Sequence, residues 1–409
     1  MKRSLLTLVL TGLAAGAVQA QELKINAVLI TWYHQSLDSS LRKNPVAPGS
    51  YYAFGGSGDA MRENGFSIRR TEIYLNGKIN DQFSAAVVFD PKENSPIILD
   101  AAITWKPNAQ VELKAGQFKP LQSYEATSIG SPDLLFVDRG QFARRFGDIR
   151  DRGVTAAYTF GDKDMSLKVT AGVFNGANRA NDANAQKDFV LRADFSAGSH
   201  KAGLFTLQGV TDVKDTTGLD IVPGQGAIDT AWGLGAPTRE AILDHKDKTT
   251  NLGAYYRFAQ GAFQADAEVV TGLVGRRFGT LAATAPSLKR QHLDQKFMSA
   301  CVSAAYILAE RHQLTFRYDL LDLNAGDDWY TGWNPYTQTA VGVARNADYS
   351  PRFTETTFGY TFALDAKSFR KANFKLNYIL RSKNMLQPAA GQTGEQGGDS
   401  LVAAFQVYF

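Results

Sequence analysis

The sequence predicts an all-β fold, a 16-stranded antiparallel transmembrane β-barrel, on three observations. About sixteen segments of roughly ten residues alternate apolar and polar side chains with a period of two. The connections between them alternate long and short in a fixed parity. The chain ends on a strand whose apolar face finishes at Phe409.

The chain opens with Met1-Lys2-Arg3, continues through an apolar run from Leu5 to Leu13, and reaches small residues ending in Val18-Gln19-Ala20. A basic start, a short apolar core and a small-residue finish predict a secretory signal peptide over 1–20, cut before Gln21. The core is too short for a membrane helix, which needs about 18 or more apolar residues. No later stretch is long and apolar enough to span as a helix. If the domain over 21–409 is embedded in a bilayer, it must therefore cross as strands.

In order, the strand segments are 22–32, 66–78, 82–90, 97–106, 109–118, 151–160, 165–175, 187–197, 201–211, 249–258, 262–273, 296–308, 311–323, 353–364, 372–382 and 400–409, none with an internal proline. The short connections are 79–81, 107–108, 161–164, 198–200, 259–261, 309–310 and 365–371. The long ones include 33–65, 119–150, 212–248, 274–295, 324–352 and 383–399. Short periplasmic turns at one end and long extracellular loops at the other are a barrel pattern that a soluble sandwich has no reason to keep.

Within the strands one face is apolar. Val111, Leu113 and Ala115 alternate with Glu112, Lys114 and Gly116; Leu314, Phe316 and Tyr318 alternate with Gln313, Thr315 and Arg317; Phe374, Leu376 and Tyr378 alternate with Asn373, Lys375 and Asn377. One set is expected against lipid and the other against a wet lumen. Aromatics at strand ends, Trp32-Tyr33, Trp105, Phe118, Phe160, Phe258 and Phe362, are expected at headgroup level. On the last strand Leu401, Ala403, Phe405, Val407 and Phe409 share one face, and a terminal phenylalanine there resembles the signal read by the barrel assembly machinery.

Lys and Arg number 44 against 40 Asp and Glu, and loss of Lys2 and Arg3 with the signal leaves 42 against 40. Near balance gives no footprint for nucleic acid, so any charge preference must come from placement. The one cysteine, Cys301, can form no internal disulfide and reads as a small buried side chain. His34, His200, His245, His292 and His312 stand in or beside connections, with no nucleophile motif and no metal-ligand spacing. No catalytic residue, metal or cofactor is expected.

The stretch Arg69-Arg70-Thr71-Glu72-Ile73-Tyr74-Leu75-Asn76-Gly77-Lys78, followed by Phe83 to Asp90, resembles the phosphate-selective porin O/P family. So does Leu113-Lys114-Ala115-Gly116-Gln117-Phe118-Lys119-Pro120, continuing through Glu125-Ala126-Thr127-Ser128 to Asp138-Arg139 and Arg152-Gly153-Val154. The resemblance is sharp over about 66–160 and architectural beyond it. It implies a passive channel in the outer membrane of a Gram-negative bacterium, usually a homotrimer, whose partners are lipid and inorganic anions or small charged solutes. It also implies that the third extracellular loop, here 119–150, folds into the lumen. Position by position, Arg69 and Arg70 match paired wall arginines, Asp100 an acidic constriction residue, and Ser128 and Arg139 loop residues lining an anion site. Phosphate-specific members carry a lysine in the Glu-to-Ser segment, whereas Glu125-Ala126-Thr127-Ser128 has none; Lys119 belongs to the common Gly-x-Phe-Lys-Pro motif. The selectivity expected is for phosphate or related oxyanions, with a general or differently selective channel as the alternative.

The chemistry of such a site is replacement of hydration. An anion entering a narrow pore loses water, and an arginine fork can bond two of its oxygens while being weakly hydrated itself. Loop 119–150 carries Lys119, Arg139, Arg144, Arg145 and Arg150 against Glu125, Asp133, Asp138 and Asp148. Arg144 and Arg145 either stand between Phe142 and Phe146 or pair with Asp138 and Asp148. Arg69 and Arg70 point to opposite faces of a regular strand, so a bulge, the membrane surface or a subunit contact must accommodate one. On the wall, Lys106, Lys114, Arg192, Arg257, Arg317, Lys375 and Arg381 with Glu72, Asp90, Glu112, Asp194, Asp266, Glu268 and Asp319 are expected to be ordinary solvated lumen residues. Trp329, Tyr330, Trp333 and Tyr336 in loop 324–352 suit either plain loop packing or glycan stacking by a non-conducting adhesin or receptor.

Overall fold

A strand with one apolar and one polar face buries neither alone, and a bilayer tolerates no open edge, so such strands persist in lipid only as a closed ring. The computed structural model describes residues 22–37, 64–92, 97–182, 185–212, 246–280, 291–322, 325, 352–366, 368–382 and 399–409. The segment 1–20, the side chains Trp329, Tyr330, Trp333 and Tyr336, and all or part of the long connections 33–65, 212–248, 274–295, 324–352 and 383–399 lie outside the described residues.

The strands are β1 (Glu22–Ser36), β2 (Asn64–Arg70), β3 (Ile73–Lys78), β4 (Phe83–Phe89), β5 (Ile98–Trp105), β6 (Val111–Phe118), β7 (Asp151–Gly161), β8 (Met165–Phe174) and β9 (Asp188–Ala197). They continue as β10 (His200–Asp212), β11 (Lys246–Gln260), β12 (Phe263–Thr280), β13 (Gln291–Ala309), β14 (His312–Asp322), β15 (Arg352–Asp365), β16 (Ser368–Arg381) and β17 (Ser400–Tyr408). Each pairs antiparallel with its neighbours, and β1 closes the ring on β17 from Val28 opposite Tyr408 to Ser36 opposite Ser400. Phe409 completes the seam by exchanging backbone hydrogen bonds with Ala27 at 2.7 and 3.0 Å.

The 17 strands make a closed 16-strand barrel because β2 and β3 are two halves of one crossing, both paired with β1. Thr31 faces Ile68, but Ile30 faces Arg70, so Arg69 is one residue too many for the ladder. This β-bulge resolves the paired arginines, because the extra residue re-aims the chain and lets Arg69 and Arg70 both bury themselves on the lumen side. The uninterrupted segment 66–78 is corrected accordingly.

The apolar faces point outward as expected. Leu314, Phe316 and Tyr318 are exposed on the outer surface, while Gln313, Thr315, Arg317 and Asp319 are buried inside. On β17, Phe405 and Phe409 are exposed, and Val402, Ala404 and Gln406 are buried. Trp105 stacks on Phe83 at 5.9 Å on the outer rim near a short turn. Trp32 and Phe118 do not join that belt, contrary to expectation. Both face inward and are 3% exposed; Trp32 lies under the Arg69 guanidinium at 5.2 Å, and Phe118 packs edge-on against Phe174.

The inner wall is less polar than alternation alone implies. Phe174, Phe205, Leu207, Phe297, Leu321 and Phe353 are all buried on the lumen-facing parity of their strands. Large apolar groups on a water-facing wall are costly unless something dry covers them. Tyr124, Val137 and Phe142 from loop 119–150 join the same buried cluster as Phe205, Phe297, Leu321 and Phe353.

The two-faced wall makes substitutions asymmetric. Leu252, 60% exposed on the lipid side of β11, changed to Arg should destabilise the folded barrel by about 2–4 kcal/mol if it sits near the midplane, read by urea unfolding in lipid vesicles. Leu252→Ile, which keeps the lipid side apolar, should cost far less.

Candidate functional site

Loop 119–150 leaves β6, enters the barrel, and is held by the wall along its length. Ser123 caps the helix Tyr124–Ser128, accepting a hydrogen bond from the Ala126 amide at 3.2 Å. Glu268 on β12 takes three donors from this helix start: Ser123 Oγ at 2.8 Å and the amides of Tyr124 and Glu125 at 2.6 and 3.1 Å. A carboxylate facing unpaired amides at a helix N-terminus is a favourable placement. Tyr124 stacks on Tyr255 of β11 at 4.1 Å. At the other helix end, Arg192 of β9 donates to Thr127 and Ser128 hydroxyls at 2.7 and 2.8 Å and to Asp194 at 2.7 Å.

The middle of the loop lies along β16 and β17. Gln406 donates to the Pro132 carbonyl at 2.8 Å, Lys375 to the Leu134 carbonyl at 2.5 Å, and the Val137 amide donates to Asn377 at 2.8 Å. On the return, the Gln141 amide donates to Asp319 of β14 at 2.5 Å. Arg144 pairs with Glu355 of β15 at 2.7 Å, and Arg381 takes the other Glu355 oxygen at 2.8 Å. Phe142, Phe146 and Phe297 stack together with centroids 5.1–5.7 Å apart.

The root of the loop is an ion-pair network around two carboxylates. Asp148 pairs with Lys119, and with Arg150 at 3.4 Å and Arg70 and Arg139 at 3.8 Å. Asp138 pairs with Arg69 at 3.1 Å and Arg70 at 3.9 Å. Arg70 also reaches Glu72 at 2.8 Å, and Arg150 reaches Asp100 at 3.2 Å. Burial opposes ionisation of Asp148, but Lys119, Arg150, Arg139 and Arg70 together outweigh it and hold the carboxyl well below its usual range. Burial likewise opposes ionisation of Asp138, and Arg69, Arg144 and Arg70 hold it low.

Of the predicted residues, Arg69, Arg70, Asp100, Lys119 and Arg139 fall into this one network. Ser128 lies apart, under Arg192. Arg144 leaves the rings for Glu355 instead of pairing with Asp138 or Asp148, and Arg145 lies over the Phe146 ring at 5.0 Å. Arg192, Arg317, Lys375, Arg381, Glu268 and Asp319 are not plain solvated wall residues, because they bind the loop or its anchors and Arg192, Arg317, Lys375, Arg381 and Asp319 are buried. Period two placed them on the lumen face; it carries no information on how deep a loop reaches, so Glu355, Asn377 and Gln406 went unseen as anchors.

A family model described as phosphate-selective porin O and P matches residues 49–409. The chain belongs to that family. As a porin it is a channel of the Gram-negative outer membrane rather than an enzyme. Among solved structures it is similar to the outer membrane channel DcaP of Acinetobacter baumannii, with TM-score 0.57, 10% identity, and 95% of this chain and 97% of that one covered. It is similar to an anion-selective porin from Comamonas acidovorans, with TM-score 0.53, 13% identity, and 95% and 99% covered. OmpT of Vibrio cholerae aligns with TM-score 0.51 at 12% identity over 95% and 97%. At these identities the likeness is one of fold. No curated protein sequence matches the chain.

Removal of one partner from a buried charge cluster leaves the others uncompensated, at a cost of about 3–5 kcal/mol. Asp148→Asn should accordingly loosen the loop root, lowering unfolding stability and making single-channel current noisier than in the native porin. Because the folded values of Asp138 and Asp148 are depressed, their stabilisation is present above the unfolded carboxyl value of about 4 and is lost as pH falls through the folded values. Loop protection in hydrogen exchange should therefore be flat from neutral pH to about 5 and decline only below about 4.

Proposed function

We propose that this porin passes small anions, phosphate or related oxyanions, in preference to cations, with loop 119–150 forming the constriction. One observation carries the reading. At the loop root Arg69, Arg70, Lys119, Arg139 and Arg150 converge on Glu72, Asp100, Asp138 and Asp148, five basic side chains to four carboxylates, where the loop inside the barrel is tied to the wall. An excess positive charge among low-dielectric walls raises the local concentration of anions. The family description and the anion-selective neighbour from Comamonas acidovorans support the same sign.

A second reading, a general or differently selective channel for small charged solutes, is favoured by the pairing itself. Each arginine and the lysine of the network already has a carboxylate within 4 Å, and the segment Glu125-Ala126-Thr127-Ser128 brings no lysine. Paired arginines hold a loop in place and add little to an approaching anion. We also propose that the chain is exported with removal of 1–20, is assembled through its terminal Phe409, and works as a homotrimer; the exposed apolar outer face is available to lipid and neighbouring subunits.

Single-channel current in a planar bilayer across a chloride gradient tests both. The anion reading expects an anion-signed reversal potential, block by low phosphate, and weaker block in Arg139→Ala. Open channels indifferent to phosphate would leave the second reading standing.

A further inference from the structure

Loop 119–150 covers one side of the lumen and leaves the other bare. Beyond its root, its ion pairs, side-chain hydrogen bonds and ring contacts go to β9 and to β11 through β17. Among the described residues none of these contacts reaches β4, β6, β7 or β8, and β5 is touched only at Asp100, by Arg150 at the loop end. The apolar cluster on that side, with Phe118, Phe174 and Leu207, holds no loop residue, whereas the one with Phe297 and Phe353 holds three. Charged side chains on the bare face stay wet: those of Lys106 and Lys168 are 57% and 37% exposed.

Strand register gathers three lysines on this bare face. Lys114 of β6 stands between Thr104 of β5 and Thr155 of β7, on the periplasmic side of the Asp100–Arg150 pair. Two residues nearer the turn, Glu112 takes Lys106 on Oε2 at 2.8 Å and Lys168 on Oε1 at 3.0 Å, so both of its oxygens are committed. The Lys114 ammonium lies over the Phe118 ring at 4.3 Å and makes no ion pair or hydrogen bond among the described residues. The face therefore presents three lysines to the single carboxylate of Glu112, with Asp100 already held by Arg150.

An anion that takes Arg139 from Asp148 or Arg69 from Asp138 must break a buried ion pair, whereas Lys114 gives up only a ring contact, worth about 0.5–1 kcal/mol at an exposed site. We infer that solutes cross this porin between loop 119–150 and the β4–β8 wall, and that Lys114 is the cation a small anion contacts directly on that route, beyond those of the loop root. Lys106 and Lys168, partly neutralised by Glu112, then hold the anion less tightly than Lys114, and attraction that weakens along the route lets a bound ion leave toward the periplasm. The assignment rests on the proposed anion preference and gives it a path and a residue.

Reversal potentials of the full-length barrel in a planar bilayer under a potassium chloride gradient test the residue. Lys114→Gln should lower the chloride-to-potassium permeability ratio by at least about twofold, and Lys114→Glu should lower it further, because the local field changes with the charge. Lys114→Arg should keep the native ratio, as should Lys371→Gln, which removes a lysine paired with Asp365 at the β15–β16 turn. The path is tested with a negatively charged thiosulfonate reagent on single cysteines in a Cys301→Ser background. Lys114→Cys should lose current on modification, and Thr357→Cys, 1% exposed on the loop-covered β15, should keep it. Heat-modifiable gel migration verifies that each variant is folded. A native ratio in both folded Lys114→Gln and Lys114→Glu, or block of Thr357→Cys with Lys114→Cys unaffected, would overturn the inference. A native channel without anion preference whose Lys114→Cys form is still blocked would instead count against the proposed anion preference and leave the path in place.

Discussion

Loop 119–150 lies inside the barrel because Asp138 and Asp148 gather cations from both the loop and the wall. Asp148 is shared by Lys119 and Arg150 at the two loop ends, by Arg139 within the loop and by Arg70 from the wall, and Asp138 ties the loop to Arg69 and Arg70. Removing so many charges from water is unfavourable unless every one is neutralised at close range. That requirement fixes the loop root against the β2 crossing, and the contacts farther along, Glu268 with the helix start and Lys375 with Leu134, then fall within reach. The dry inner wall depends on the same docking, since Phe297 and Phe353 face the lumen and are covered once Phe142 and its neighbours are in place.

The barrel was legible in the sequence because its rule is repeated on every strand. Leu314, Phe316 and Tyr318 had to face lipid if Gln313, Thr315 and Arg317 faced inward, and the parity of long and short connections oriented the ring. What period two could not register was a missing beat. The bulge at Arg69 breaks the alternation by one residue, and the paired arginines signalled a conflict without saying how it would be resolved. Trp32 and Phe118 were misplaced for a related reason, since an aromatic beside a strand end suits a headgroup belt as well as an inward pocket, and only the loop packed inside decides.

The candidate site was legible in part for a different reason. Basic residues concentrated in 119–150 and at 69–70 marked where electrostatics would matter, and five of them, Arg69, Arg70, Lys119, Arg139 and Arg150, do meet in one network. Their counter-ions were harder to see. Glu72, Asp138 and Asp148 are as necessary as the arginines, but a sequence search for an anion site looks for cations. Arg317 and Glu268 looked like ordinary wall charges because nothing local in β14 or β12 distinguishes a residue that meets a loop from one that meets water.

The seam between β1 and β17 has a consequence for how the molecule is made. The pairing that closes the ring joins Ala27 to Phe409, near the opposite ends of the chain. Contacts so distant in sequence form late and slowly, because the entropy of bringing the ends together is lost before any bond repays it. Until β17 is in place, β1 has no partner on that side, and every intermediate carries an open edge able to pair with other chains. A ring whose first and last strands pair with each other closes only when both are in place, so its closure is an all-or-none event and its half-built forms have no stable edge of their own.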